Sequence, residues 1–386
     1  MTDIQKVVSK FKSLYSNIPL LISSPGRINL IGEHTDYHDG FVLPAAIDKR
    51  MVLAFSKNNS EKIRLFSIDF DDELKCNLND VKVTENAWAN YILGVVDQLQ
   101  KAKHIIGGFD CVFSSDIPMG SGLSSSAALE CGVGYGLNEL FGLKIPKTDL
   151  VKFAQKAEHT FAGVQCGIMD QFASVMGKKD HVFQLDCRSL EYNYFQFNQE
   201  EYQFILCNSG VKHSHADSGY NTRRTESEMG VFELKKKYPE ISHLRDVNIE
   251  MLNSIKTNIS QIIYNRCKYV IEENERVVAS CNALSKDDIF TFGKLMYESH
   301  NGLTNLYEVS CDEVDFLVDF TRSNNNILGA RMMGGGFGGC SINLVKRTEK
   351  KKFLEEIKNA YLGKYNIDLE CYEVEIANGT SVIEVI

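Results

Sequence analysis

The chain is poor in proline, with six in 386 residues, and it carries a single tryptophan. No proline-rich linker, low-complexity stretch or internal repeat divides it. No apolar run approaches the ~18 residues that cross a bilayer. The opening segment MTDIQKVVSKFKSLY reads as an amphipathic helix without the apolar centre of a signal peptide. A cytoplasmic protein with no membrane contact is therefore expected. The 11 cysteines are odd in number and include no CxxC pair, which excludes a zinc or disulfide framework. Most read as small buried apolar residues in a reducing compartment. Positive charge is not in excess either. Lys and Arg number 42 against 51 Asp and Glu, a net charge of −9, which argues against a nucleic-acid binder. Finally, no GxxxxGK[ST] occurs, so a nucleotide phosphate would need a device other than a Walker loop.

What remains is an ordinary globular balance, 44% hydrophobic and 24% charged. The length exceeds one compact core, so two domains are expected, 1–197 and 198–386, with the last strand able to pair back with the first. Strand patterns run through LLISS, FVLPAAI, RMVLAFS and Lys62–Ile68, then Gly108–Ser114. Helical patterns cover Ala87–Ala102, Ser124–Phe141 (despite three internal glycines), a segment capped by Thr148 through Glu158, and Gly167–Met176. QFILCN reads as a strand and Tyr220 to about His300 as mostly helical. Gly334–Gly339 turns between the strands ILGARMM and CSINLV, and Phe353–Tyr361 marks a late helix. Strand and helix runs are partly segregated, which predicts an α+β fold.

Two segments carry chemistry. The first, SPGRINLIGEHTDYHDG from Ser24 to Gly40, packs Arg27, three acids and two imidazoles into a turn-rich stretch. Glu33, His34 and Asp36 can read the hydroxyls of a sugar. A metal site on His34, Asp36 and His38 is the rival, and a solvated loop the plain alternative. The second, PMGSGLSSSAALE, is a glycine-serine loop leading into a helix. Gly120 and Gly122 permit a tight turn and close backbone approach. Ser124–Ser126 fall where unpaired N–H groups and the helix dipole attract an anion. An ordinary serine-capped helix would look the same, so the loop alone does not decide. In QCGIMDQF, Asp170 lies among apolar residues. It reads as a dipole-favouring acid or, opposite an arginine in a cleft, as a base or positioner of a hydroxyl nucleophile. Glu158 reads as a solvated helix-end acid or a Mg²⁺ ligand. Gly334–Gly339 matches GxGxxG but precedes a strand, so it is a hairpin or a loop lining the same cleft, not a dinucleotide fingerprint.

Taken together, GRINLIGEHTDY, PMGSGLSSSAALE and ARMMGGGFGGC resemble the three motifs of the galactokinases, within the larger GHMP family of galacto-, homoserine, mevalonate and phosphomevalonate kinases. The resemblance spans about residues 20 to 345. It implies an N-terminal domain like ribosomal protein S5 domain 2 and a ferredoxin-like C-terminal domain, with ATP and galactose in the cleft between them. It implies Asp170 as catalytic acid/base and Arg27 as transition-state stabiliser. Glu33, His34, Thr35, Asp36, Gly167 and Tyr220 would hold the sugar. Gly120, Ser121, Gly122, Leu123, Ser124, Ser125 and Ser126 would cradle ATP, and Ser126 and Glu158 would hold Mg²⁺. A monomer is expected. A kinase for N-acetylgalactosamine, or a non-catalytic galactose and ATP sensor, are the alternatives. The third motif of relatives usually carries Thr where this chain has Met333, so a phosphate contact there is missing or comes from backbone.

Overall fold

The structure, a computed structural model, describes residues 3–118, 120–212 and 216–384. Helix α1 (Asp3–Leu14) precedes strands β1 (Leu20–Asn29), β2 (Phe41–Val42), β3 (Pro44–Lys57), β4 (Lys62–Ser67) and β5 (Asp72–Asn77). Then come α2 (Ala87–Lys101), β6 (Phe109–Ser115), α3 (Ser125–Phe141), α4 (Lys147–Ala157), α5 (Met169–Met176), β7 (His181–Asp186) and β8 (Tyr192–Gln196). The second half opens with β9 (Tyr202–Lys212), followed by α6 (Ala216–Lys235), α7 (Ile249–Asn253), α8 (Gln261–Leu284), α9 (Ile289–Gly302) and α10 (Asp312–Arg322). It closes with β10 (Ile327–Met333), β11 (Gly338–Lys346), α11 (Lys350–Tyr365), β12 (Glu370–Val374) and β13 (Ser381–Val382).

Among the described residues three sheets result: β13-β1-β3-β6-β4-β5, β2-β7-β8 and β10-β11-β9-β12. In the last, the first strand in sequence lies between the third and fourth, with helices in both crossovers. That is the split order of a ferredoxin-like fold. The tail then returns: β13 pairs with β1, Ile22 opposite Val382. One apolar core runs through both halves, from Ile28 and Leu30 of β1 to Val277 of α8 and Leu344 of β11.

Two sequence expectations need correction. FVLPAAI and RMVLAFS do not form two strands, because β3 runs unbroken through PAAI and RMVLAFS. Thr148 does not cap α4, which starts after Pro146 at Lys147. Pro146 takes the N-cap position instead, its fixed φ suiting the entry into the helix but supplying no side-chain hydrogen bond. Two of the three glycines inside α3 have a packing cause. A Cβ on Gly132 would lie 2.5 Å from Leu53, and one on Gly136 2.4 Å from the Phe55 ring. The helix lies flush on β3, and that close approach offsets the poor propensity of glycine. It also fixes the helix N-terminus at the mouth of the cleft.

Candidate active site

Arg27 and Asp170 are 143 residues apart and form a two-pronged ion pair. Nε donates to Oδ1 and Nη2 to Oδ2, both at 2.7 Å. Arg27 follows a bulge in β1 between Pro25 and Arg27, and Asp170 lies in the first turn of α5. The glycine-serine loop completes the junction. Arg27 Nη1 donates to the Gly122 carbonyl at 2.5 Å, and the Arg27 backbone N–H to the Leu123 carbonyl at 3.1 Å. Ser124 Oγ donates to Asp170 Oδ2. The arginine side chain is 7% exposed and the aspartate 27%, so the acid is the more open end of the pair.

A cavity of about 550 Å³ opens beside this pair. Glu33, His34 and Asp36 line it from the first motif, and Tyr220 from α6. Gly334–Gly336 of the β10–β11 hairpin form part of the same wall, so that segment is both a hairpin and a cleft loop. Thr35 is not in the lining. It is fully buried beneath the turn, and its hydroxyl bonds to the Gly32 and Phe41 carbonyls at 2.9 and 2.7 Å. His38 also turns away, with Nε2 2.7 Å from Ser227 Oγ, so His34, Asp36 and His38 do not converge. Gly167 precedes α5, which starts at Met169, rather than opening it. A Cβ there would lie 1.7 Å from Asp36 Oδ2, so only glycine lets the acid reach the cavity wall.

The loop before α3 is built on left-handed backbone, with φ of +71° at Gly120, +73° at Gly122 and +59° at Ser124. Ser124 occupies the N-cap of α3 but gives its hydroxyl to Asp170. Among the described residues the first-turn N–H groups therefore have no side-chain cap. An uncapped start on a 17-residue helix favours an anion. Two loop side chains are otherwise engaged. The Ser121 hydroxyl bonds to the Pro118 carbonyl at 2.6 Å, and Leu123 is 1% exposed in the core. They offer a ligand backbone at most. Ser125 and Ser126 stay partly exposed.

Glu158 is not a solvated helix-end acid. It is 6% exposed, accepts from Gln171 at 2.5 Å and Cys166 at 3.2 Å, and hydrogen-bonds with Ser126. Burial raises its carboxyl above the ordinary value. Met333 is 2% exposed within the main core. Its side chain belongs to the core and is not part of the cavity wall.

Several supporting residues were not singled out from the sequence. Arg331 of β10 is wholly buried and donates to the Leu30 carbonyl at 2.6 Å, the Asn29 carbonyl, and Glu33 Oε1 at 3.1 Å. The Gly334 N–H reaches the same oxygen at 2.7 Å. From α8, Glu273 accepts the Gly32 N–H at 2.9 Å, Asn274 accepts the Phe41 N–H at 2.8 Å, and the Tyr269 hydroxyl donates to the Glu33 carbonyl at 3.0 Å. The second half thus grips the backbone of the first motif. A charged residue inside the apolar strand ILGARMM was a hint for Arg331; for α8, with its many acids, there was none.

Burial raises the Asp36 carboxyl from 3.8 to about 7, and the neighbouring charges of Asp170 and Glu33 add to the rise. A raised folded value favours the protonated form. Asp36 therefore contributes stability below about pH 4 that is lost as pH rises toward 7. Asp36→Asn should flatten this loss: between pH 5 and 8, in ligand-free protein, its melting temperature should fall less than that of the unmodified chain. Parallel curves from calorimetry would refute the assignment.

The family model of the galactokinase galactose-binding signature matches residues 9–57. Those of the GHMP kinases N terminal domain and GHMP kinases C terminal match residues 90–178 and 282–363. Galactokinases of Thermotoga neapolitana and Thermotoga maritima are each 43% identical over 363 residues, covering 94% of this chain and 99% of theirs. That of Clostridium acetobutylicum is 40% identical over 384 residues, 98% of both chains. The crystal structure of Lactococcus lactis galactokinase complexed with galactose superposes with a TM-score of 0.94 at 31% identity, covering 99% of this chain and 100% of that one. Methanococcus jannaschii mevalonate kinase, at 19% identity and a TM-score of 0.65 over 93% of this chain and 99% of that one, shares the fold alone. On this sequence identity along nearly its whole length, the chain belongs to the galactokinases of the GHMP kinase family.

Proposed function

We propose that this chain transfers the γ-phosphoryl group of ATP to the C1 hydroxyl of α-D-galactose, giving galactose 1-phosphate, the step that commits galactose to catabolism. The observation that carries the reading is the Arg27–Asp170 pair on the wall of a cavity shared with Glu33, His34 and Asp36. Asp170 would accept or orient the C1 hydroxyl proton, and Arg27 would meet charge developing on the transferred group. Phosphoryl transfer asks mainly for alignment and charge stabilisation, which this junction offers. Glu33, His34, Asp36 and Tyr220 would hold the sugar, and Gly167 would leave room for Asp36. The backbone of Gly120–Leu123, with Ser124–Ser126 and the start of α3, would receive the ATP phosphates.

The Ser126 hydroxyl beside the Glu158 carboxylate suits a hard cation by its oxygen donors. Glu130 Oε1 and Gln171 Oε1 nearby are buried and have no partner among the described residues. Ser126 and Glu158 would hold Mg²⁺, which when bound neutralises charge on the phosphates. The same reading divides the chain into 1–197 and 198–386, with the family models 90–178 and 282–363 on either side and the tail returning to β1. It takes the protein as a cytoplasmic monomer. Coupled ADP release with ATP and a panel of galactose, N-acetylgalactosamine, glucose and mevalonate tests it. Galactose should give the highest kcat/KM; no ADP release with any sugar would leave only a binding protein.

A further inference from the structure

His34 is held in an unusual way for a ligand-binding residue. Its backbone is left-handed, with φ of +62°. Its ring packs against Tyr307, Tyr220 and Tyr37, with centroids 4.9, 5.3 and 5.8 Å away. Nδ1 lies 2.8 Å from the Tyr37 hydroxyl, and that hydroxyl 2.7 Å from the Tyr307 hydroxyl. Nε2 is buried without a well-formed hydrogen bond among the described residues, although the Gly335 backbone lies near enough to the ring to raise its value, and the side chain lines the cavity. Burial lowers the imidazole to about 3, so the ring is neutral near pH 7 and carries one proton.

Two hydroxyls in series carry two protons, so the row runs in one direction. The Tyr307 hydroxyl faces the Arg223 carbonyl at 3.5 Å, which can only accept. The Arg223 guanidinium is engaged elsewhere, donating to the Tyr307 backbone carbonyl at 2.6 Å. The proton of Tyr307 is thus directed away from the cavity, that of Tyr37 toward Tyr307, and the free acceptor position of Tyr37 toward His34.

We propose that Tyr37 and Tyr307 are positioning residues that hold His34 as the Nδ1–H tautomer, leaving Nε2 a bare acceptor for one sugar hydroxyl. The proposal rests on the reading of the cavity as a galactose pocket and adds a selectivity rule. The hydroxyl met by His34 must donate, so a group that only accepts is rejected at that position. The competing arrangement gives Nε2 the proton, with the Gly335 backbone as the acceptor that raises the His34 value.

Two measurements decide between them. The first needs no variant beyond the one that assigns the signal: long-range proton–nitrogen correlation spectra of ligand-free protein with isotope-labelled histidine, His34 assigned by its loss in His34→Gln. Nε2 should resonate as the unprotonated nitrogen, and Tyr37→Phe should move the ring toward Nε2–H. Tyr307→Phe, which keeps Tyr37 but removes its acceptor, should act in the same direction and serves if Tyr37→Phe does not fold. A protonated Nε2 in the unmodified protein, or no change in either variant, overturns the proposal. The second is KM for the monodeoxy and monodeoxyfluoro galactoses at C2, C3, C4 and C6. At one position both analogues should raise KM about tenfold, because fluorine accepts but does not donate, and Tyr37→Phe should narrow that gap. Fluoro analogues that match galactose at every position overturn it too. Failure to phosphorylate galactose at all would remove the function, while the nitrogen spectra would still establish which tautomer His34 adopts.

Discussion

Asp170→Asn should lower kcat by about 10²–10⁴-fold, the range a positioned acid or base supplies, while galactose still binds. Asparagine keeps the shape of the side chain but replaces one oxygen with an N–H donor. That donor would face the Arg27 guanidinium or the Ser124 hydroxyl, both of which donate to Asp170. The variant thus loses the acceptor proposed for the C1 proton and disturbs the guanidinium together. The proposed sugar pocket is lined mainly by other side chains, Glu33, His34, Asp36 and Tyr220. Titration calorimetry should therefore give a galactose Kd within a few-fold of the unmodified protein. A variant that keeps near-normal kcat would remove Asp170 from the chemistry. One that loses both turnover and galactose binding would make it a pocket residue instead.

Arg331→Ala should be the most destabilising single change near the site. It leaves the Glu33 carboxylate, 3% exposed, with only the Gly334 N–H on Oε1, and strips a donor from the Asn29 and Leu30 carbonyls. Breaking a buried charge pair from one side costs about 3–5 kcal/mol, so the melting temperature should fall by about 5 °C in a chain of this length. Galactose KM should rise as well, since Glu33 loses the group that fixes it. Arg331→Met combined with Glu33→Gln should recover part of the stability, because no uncompensated charge remains buried. A shift of only a degree or so for Arg331→Ala, or a double variant no better than the single one, would show that the pair does not hold the two halves together.

Much of the site was legible because its residues are close in sequence and chemically unlike a core. Arg27 behind a Pro-Gly turn, the Glu33–Asp36 cluster and the Gly120–Ser126 loop all announce polar groups where backbone turns. Side-chain direction was less legible. Thr35, Ser121 and Leu123 lie inside the motifs, yet their side chains serve the turn or the core, leaving their backbone to face a ligand. A motif marks where the backbone goes, and side-chain direction depends on what packs behind it. Gly167 read as a helix start because glycine before an apolar run looks the same whether it begins a helix or makes room for Asp36.

The sequence by itself determined the local devices: left-handed glycine turns, a helix start suited to phosphate, and an acidic turn suited to hydroxyls. These depend on backbone propensity and the chemistry of neighbours along the chain. Only the tertiary structure decided that Arg27 meets Asp170, that Arg331 and α8 fasten the first motif from the far half, and that Met333 faces the core. Those contacts join residues 143 to more than 300 positions apart. They are set by how sheets and helices pack, which no local pattern encodes.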